Sequence, residues 1–145
     1  MKKEKYTCPP NYKTFGLAVQ AVVILAMQSS RCPSSEIADQ VGTEVTMLRR
    51  IMSKLSQAQL IEVREGRDGG YQLKVPPESL TCADIYQALH LEESGCGAML
   101  ESAGKCQFGE RIKPVLSTIV SSIDHSILAE LRRYTIADVI QRIES

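Results

Sequence analysis

The sequence predicts a mainly α-helical fold with one small β-hairpin: a winged helix-turn-helix followed by a long C-terminal helix suited to dimerisation. Three observations carry this expectation. Leu48, Ile51, Met52 and Leu55 recur at spacings of three and four, which stacks them on one helix face and leaves Thr46, Met47, Arg49, Arg50 and Lys54 largely off it. Immediately afterwards Leu60, Ile61 and Val63, then Tyr71, Leu73 and Val75, flank the turn-forming run Arg64-Glu65-Gly66-Arg67-Asp68-Gly69-Gly70, the pattern of two short strands around a flexible tip. Further on, Ile112, Leu116, Ile119, Ile123 and Ile127 recur at spacings of three and four, joined by Val115, Val120, Leu128 and Leu131.

The remaining elements follow in chain order. Lys2, Lys3 and Lys5 with Pro9-Pro10 read as an arm, and a first helix is expected from about Tyr12 to Gln28. That helix is apolar nearly all round, so it must be covered on more than one side. Ser34 is the expected N-cap and Glu36 the first-turn acid of a short helix, Ile37 to Val41, which Gly42 ends. A short helix, a glycine turn and a longer helix make a helix-turn-helix. After the hairpin, Pro76-Pro77 breaks the strand and Thr81-Cys82-Ala83-Asp84 opens a helix to about Leu91. A loop from Glu92 to Gly109 is expected next. The long helix is placed from about Glu110, with Pro114 in its first turn, and Thr135-Ile136-Ala137-Asp138 opens a last short helix. The organisation is one intertwined unit in three parts: residues 1–80 as arm and reading head, 81–109 as linker helix and cysteine-containing sensor loop, and 110–145 as dimerisation and terminal helices.

At 145 residues the chain suits one domain of ordinary size. Its 17 basic and 17 acidic residues cancel, which argues against indiscriminate coating of nucleic acid. The charge is nevertheless uneven: residues 1–42 and 43–74 each carry an excess of two positive charges, and residues 75–145 an excess of four negative ones. Five irregularly spaced cysteines and no cleavable signal sequence point to a reducing cytoplasm rather than a disulfide framework. The most apolar segment, Phe15 to Met27, is 13 residues long, against roughly 20 needed to span a bilayer, so no membrane association is expected. No Ser-His-Asp set, metal-spaced histidines or phosphate loop is present, and Gly66…Gly69-Gly70 lies between strands rather than before a helix. Neither catalysis nor a metal site is expected.

Several segments together resemble the Rrf-two family of bacterial winged-helix transcriptional regulators. They are Ile37-Ala38-Asp39, the Leu48…Ile51-Met52-Ser53-Lys54-Leu55 helix, Leu60-Ile61, the Arg64-to-Leu73 wing and Thr81…Asp84-Ile85. The resemblance covers most of the chain and implies a homodimer that binds double-stranded DNA at a palindromic operator, most simply as a repressor. It also implies that Thr46, Met47 and Arg49 occupy base-contacting positions, with Arg50 and Lys54 nearer the phosphates. An arginine such as Arg49 can pair two-pronged with a guanine edge, whereas a methionine at helical spacing is more often core than a contact to a thymine methyl. Arg64 and Arg67 flank the wing tip, and a narrow minor groove attracts arginine. The wing departs from the family pattern by one extra residue around Glu65.

The sensor departs further. Cluster-binding members of the family resemble one another in carrying three cysteines in the loop before the long helix, with five residues between successive ones. This loop has only Cys96 and Cys106, with nine residues between them. No cofactor is therefore expected, an iron–sulfur cluster remaining as the alternative input along with a small effector. Thiol-based redox sensing is the leading expectation. Cys32 follows Arg31 and precedes a helix start, both of which favour a thiolate; Cys96 is the expected resolving partner and Cys106 competes for either role. Cys82 reads as a small buried residue, and Cys8 as incidental. Because the resemblance implies that the loop lies near the other subunit's reading head, a Cys32–Cys96 cross-link would alter the separation of the two recognition helices. The rival from another class is a protein-interaction module docking on a metabolic enzyme, favoured by the neutral overall charge and the acidic half.

Overall fold

The computed structural model of the chain describes residues 10–90 and 97–145. Their order is α1 (Pro10–Met27), α2 (Ser34–Val41), α3 (Val45–Gln57), β1 (Ile61–Arg64), β2 (Gly70–Leu73), α4 (Cys82–Ala88), α5 (Gly97–Glu101), α6 (Gln107–Leu131) and α7 (Ile136–Glu144). The fold is mainly helical with a single two-stranded antiparallel hairpin, as the sequence predicts.

The core forms around α1. Ala18, Ala21, Val22 and Leu25 are buried against Ile37 of α2, Leu48, Ile51, Met52 and Leu55 of α3, Ile61 of β1, Leu80, Ile85 and Leu89 around α4, and Ile136 of α7. α1 contacts α2, α3, α4, β2 and α7. This answers the requirement that a helix apolar on nearly every face be covered on several sides.

Local chemistry sets the element ends. Gly42, at φ +79°, donates its N–H to the Ala38 carbonyl and closes α2 in the left-handed conformation. Gln59, at φ +65°, plays the same part after α3 without being glycine; Leu60 N–H then reaches back to the Leu55 carbonyl at 3.1 Å. Thr81 and Thr135 each form a complete capping box, with Asp84 and Asp138 respectively. The two boxes abut: Thr81 bridges Thr135, Cys82 N–H reaches the Tyr134 carbonyl at 2.9 Å and Ile136 N–H the Leu80 carbonyl at 2.8 Å. That junction ties the C-terminal helix to the reading head.

Three expectations are corrected. The N-cap of α2 is Pro33, with no side-chain cap, and Ser34 is the first helical residue, because the extended Pro33 conformation already starts the helix. The stretch taken as a loop to Gly109 contains α5 and the start of α6, which begins at Gln107 with Cys106 as its N-cap. Pro114 consequently lies in the helix interior instead of its first turn, a placement that removes one backbone bond and ordinarily costs about 3 kcal/mol.

Candidate nucleic-acid interface

α3 separates its two faces cleanly. Leu48, Ile51, Met52 and Leu55 are buried, while Thr46, Met47, Arg49, Arg50 and Lys54 are exposed. Met47 is 38% exposed, so it is a surface residue rather than the core methionine its spacing allows. A surface concavity of about 700 Å³ runs along this face, bordered by Thr46, Met47, Arg50, Ser53 and Lys54, with Thr14 of α1 at its edge. Lys13 and Thr14 border a second concavity together with Thr43, Glu44 and Met47. The first turns of α1 thus lie beside the start of α3. The sequence reading missed Lys13 and Thr14, since a lone cation early in an apolar helix carries no signal without knowledge of which helix packs beside it.

The wing is anchored at its base and open at its tip. β1 and β2 pair from Ile61↔Leu73 to Arg64↔Gly70. Cys32 adds a single antiparallel bridge to Tyr71, with reciprocal backbone hydrogen bonds of 3.0 and 2.9 Å. Arg31 then donates from Nη2 to Glu62 Oε1 at 3.1 Å, pinning β1 to the same connection. At the tip, Gly69 N–H closes onto the Gly66 carbonyl at 3.0 Å, and Arg64, Glu65, Arg67 and Asp68 are exposed.

The cations of this surface are electrostatically uncommitted. Among the described residues the ion pairs are Arg31–Glu62 and Arg133–Glu130, and neither involves Arg49, Arg50, Lys54, Arg64 or Arg67. Arg49 Nε donates to Ser34 Oγ at 3.4 Å. Its guanidinium also acts on Tyr71: burial raises the phenol's pKa and the neighbouring positive charge partly offsets that rise. An arginine of α3 is therefore stationed where α2, α3 and β2 meet.

The cysteines fall differently from expectation. Cys32 is fully buried, its Sγ lying 3.5 Å from Glu36 Oε2 as donor. Burial first, then the hydrogen bond to Glu36 and the negative charge of that carboxylate, push its thiol up to about 11. The premise that Arg31 and the helix start favour a Cys32 thiolate is thus corrected, because Arg31 is turned to Glu62 and the nearest charge is Glu36. Cys82 is buried as expected, its pKa raised by burial and then by Asp138. Cys106 is exposed, and its Sγ accepts from Gly109 N–H at 3.4 Å. Cys8 and Cys96 lie outside the described residues.

A recognition helix with an exposed cationic face, a preceding short helix and an arginine-bearing hairpin define a winged helix-turn-helix protein that binds DNA. A family model described as "Rrf2: Iron-dependent Transcriptional regulator" matches residues 12–142, and the chain belongs to that family, as its wing and recognition helix imply. YwnA of Bacillus subtilis (strain 168) is 27% identical over 128 residues, spanning 88% of this chain and 96% of YwnA. The HTH-type transcriptional regulator IscR of Aliivibrio salmonicida (strain LFI1238) is 28% identical over 122 residues, 79% of this chain and 71% of that one. The crystal structure of Staphylococcus aureus CymR shares the fold, with a TM-score of 0.62 at 20% identity over 88% of this chain and 95% of that chain. The protein is a transcriptional regulator and not an enzyme. Although the family model is described as iron-dependent, no three His, Cys, Asp or Glu side chains converge into an iron site among the described residues, so no step is assigned to iron. No helix of the described residues is long and apolar enough to cross a membrane.

Proposed function

We propose that this regulator is a homodimeric repressor reading a palindromic operator, with two copies of α3 in successive major grooves and the two wing tips in the adjoining minor grooves. The observation that carries the reading is the row of exposed cations on α3, Arg49, Arg50 and Lys54, which form no ion pair among the described residues, beside the arginine-bearing wing. Thr46, Met47 and Arg49 are assigned to base edges, Arg50 and Lys54 to phosphates, and Arg64 and Arg67 to the minor groove. Dimerisation is assigned to α6, where Phe108, Val115 and Ile119 are 69%, 57% and 44% exposed in the single chain while Val120 faces inward. A second copy of the same stripe would cover them, as a two-fold interface requires.

The thiol input of this reading is assigned to Cys106 rather than Cys32. Cys106 is exposed at the start of α6, next to the proposed seam, whereas Cys32 is sealed in the core. Its partner in this scheme is Cys96. Two thiols would give two electrons and two protons to hydrogen peroxide, forming one disulfide and two waters.

The test is selection of bound sequences from a random duplex pool by the reduced protein, followed by anisotropy on the selected site before and after one equivalent of peroxide. Enrichment of a two-fold symmetric site with half-sites about one helical turn apart is expected. Unsymmetric or absent enrichment would remove the dimeric reading. Peroxide sensitivity that persists in Cys106→Ser would remove the assigned thiol.

A further inference from the structure

We propose that Ser34 is a positioning residue for sequence readout, holding Arg49 so that its two terminal nitrogens face a guanine in the major groove. The inference rests on the reading of α3 as the DNA-reading helix and names what aims its arginine. A guanidinium has five N–H donors, one on Nε and four on the two terminal nitrogens. Ser34 Oγ accepts from Nε at 3.4 Å, so the tether uses a donor that an end-on bidentate contact of the two terminal nitrogens to O6 and N7 does not need.

The surroundings make this tether specific. Ser34 opens α2 two residues after Cys32, and the backbone bridge of Cys32 to Tyr71 fixes that point of the chain to the wing. Arg49 therefore lies against a frame built from α2 and β2 rather than against another mobile surface side chain. The frame offers Arg49 a neutral oxygen, the Ser34 hydroxyl, and Arg49 forms no ion pair among the described residues. A carboxylate in the same place would orient the arginine equally well, but it would neutralise the charge and have to be broken before DNA is bound. Orientation without neutralisation lowers the ordering cost of an exposed, many-rotamer side chain.

The test uses the full-length protein and the duplex it selects from a random pool, with each base pair of one half-site varied in turn. Arg49→Ala is expected to lose preference for guanine at one position. Ser34→Ala should relax the same position by about three- to tenfold, leave the salt dependence of binding unchanged, and recover in Ser34→Thr, which keeps the hydroxyl. In the Arg49→Ala background, Ser34→Ala should have no further effect. A merely structural Ser34 would instead lower affinity at all positions and in both backgrounds, which overturns the proposal. Should Arg49→Ala leave every position unchanged while DNA is still bound, Arg49 is not the reader and the proposal falls with the DNA-binding reading intact. Failure of the wild-type protein to select any duplex would refute both.

Discussion

Gly70 lies against Cys32 so closely that a Cβ at position 70 would come within 2.7 Å of the Cys32 carbonyl carbon and oxygen. The close approach is what lets Tyr71 and Cys32 exchange two backbone hydrogen bonds and fix the wing to the helix-turn-helix. Gly70 also sits at φ +144°, where side chains are disfavoured. Gly70→Ala is accordingly expected to cost about 2–3 kcal/mol in urea unfolding. Gly42→Ala is the control: its φ is +79° but nothing lies within 4 Å of the added carbon, so about 1 kcal/mol is expected. Equal losses for the two would show that the approach to Cys32 is not tight.

Cys32 gives the fold a defined response to alkali. Its pKa is raised from 9.0 unfolded to about 11 folded, because the folded protein disfavours the thiolate. The associated stability is fully present below pH 9 and is lost as pH rises through 11, about 3 kcal/mol in all. The reduced protein should therefore lose more stability between pH 9 and 11 than Cys32→Ala does. Native-state alkylation at pH 8 should label Cys106 well before Cys32. Rapid labelling of Cys32 would contradict the burial described above.

Legibility in the sequence followed the reach of each signal. The recognition helix, the wing and both Thr-x-x-Asp caps were readable because period, turn chemistry and capping act within a few residues. The exposed polar and cationic set of α3 was readable for the same reason, as the complement of the buried stripe. Cys32 was misread because its environment is set by Glu36 one turn on and by a strand nearly forty positions away, while the adjacent Arg31 is drawn to Glu62. The start of α6 was placed late because Pro114 suggests a first turn, and nothing local reveals that Gly109 packs against Gly104 so closely that a Cβ there would meet the Gly104 carbonyl oxygen at 1.8 Å. Lys13 and Thr14 were missed because their position depends wholly on how α1 crosses α3.

The proposed seam on α6 makes a direct prediction. Ile119 is 44% exposed and flanked along the stripe by Val115 at 57%. Ile119→Glu places a charge there without disturbing the chain's own core. Sedimentation should show monomer where the wild type shows dimer, with far-ultraviolet circular dichroism unchanged. Affinity for a full palindrome should fall to that for a half-site, since only linked heads gain from an effective local concentration. A dimer that survives Ile119→Glu and Val115→Glu together would place the interface elsewhere.

Lys13 separates a phosphate contact from a base contact. It is exposed near the start of α1 and borders the concavity that also takes in Met47 of α3. A phosphate lying along that edge would meet both the Lys13 ammonium and the positive end of α1. Each phosphate so neutralised contributes about 0.9 to the slope of log affinity against log salt. Lys13→Ala should therefore shallow the slope by about 0.9 per subunit and weaken all duplexes alike. Arg49→Ala should change the ranking of sequences instead. Lys13→Ala with the wild-type slope would leave the edge of α1 outside the footprint and confine the contact surface to α3 and the wing.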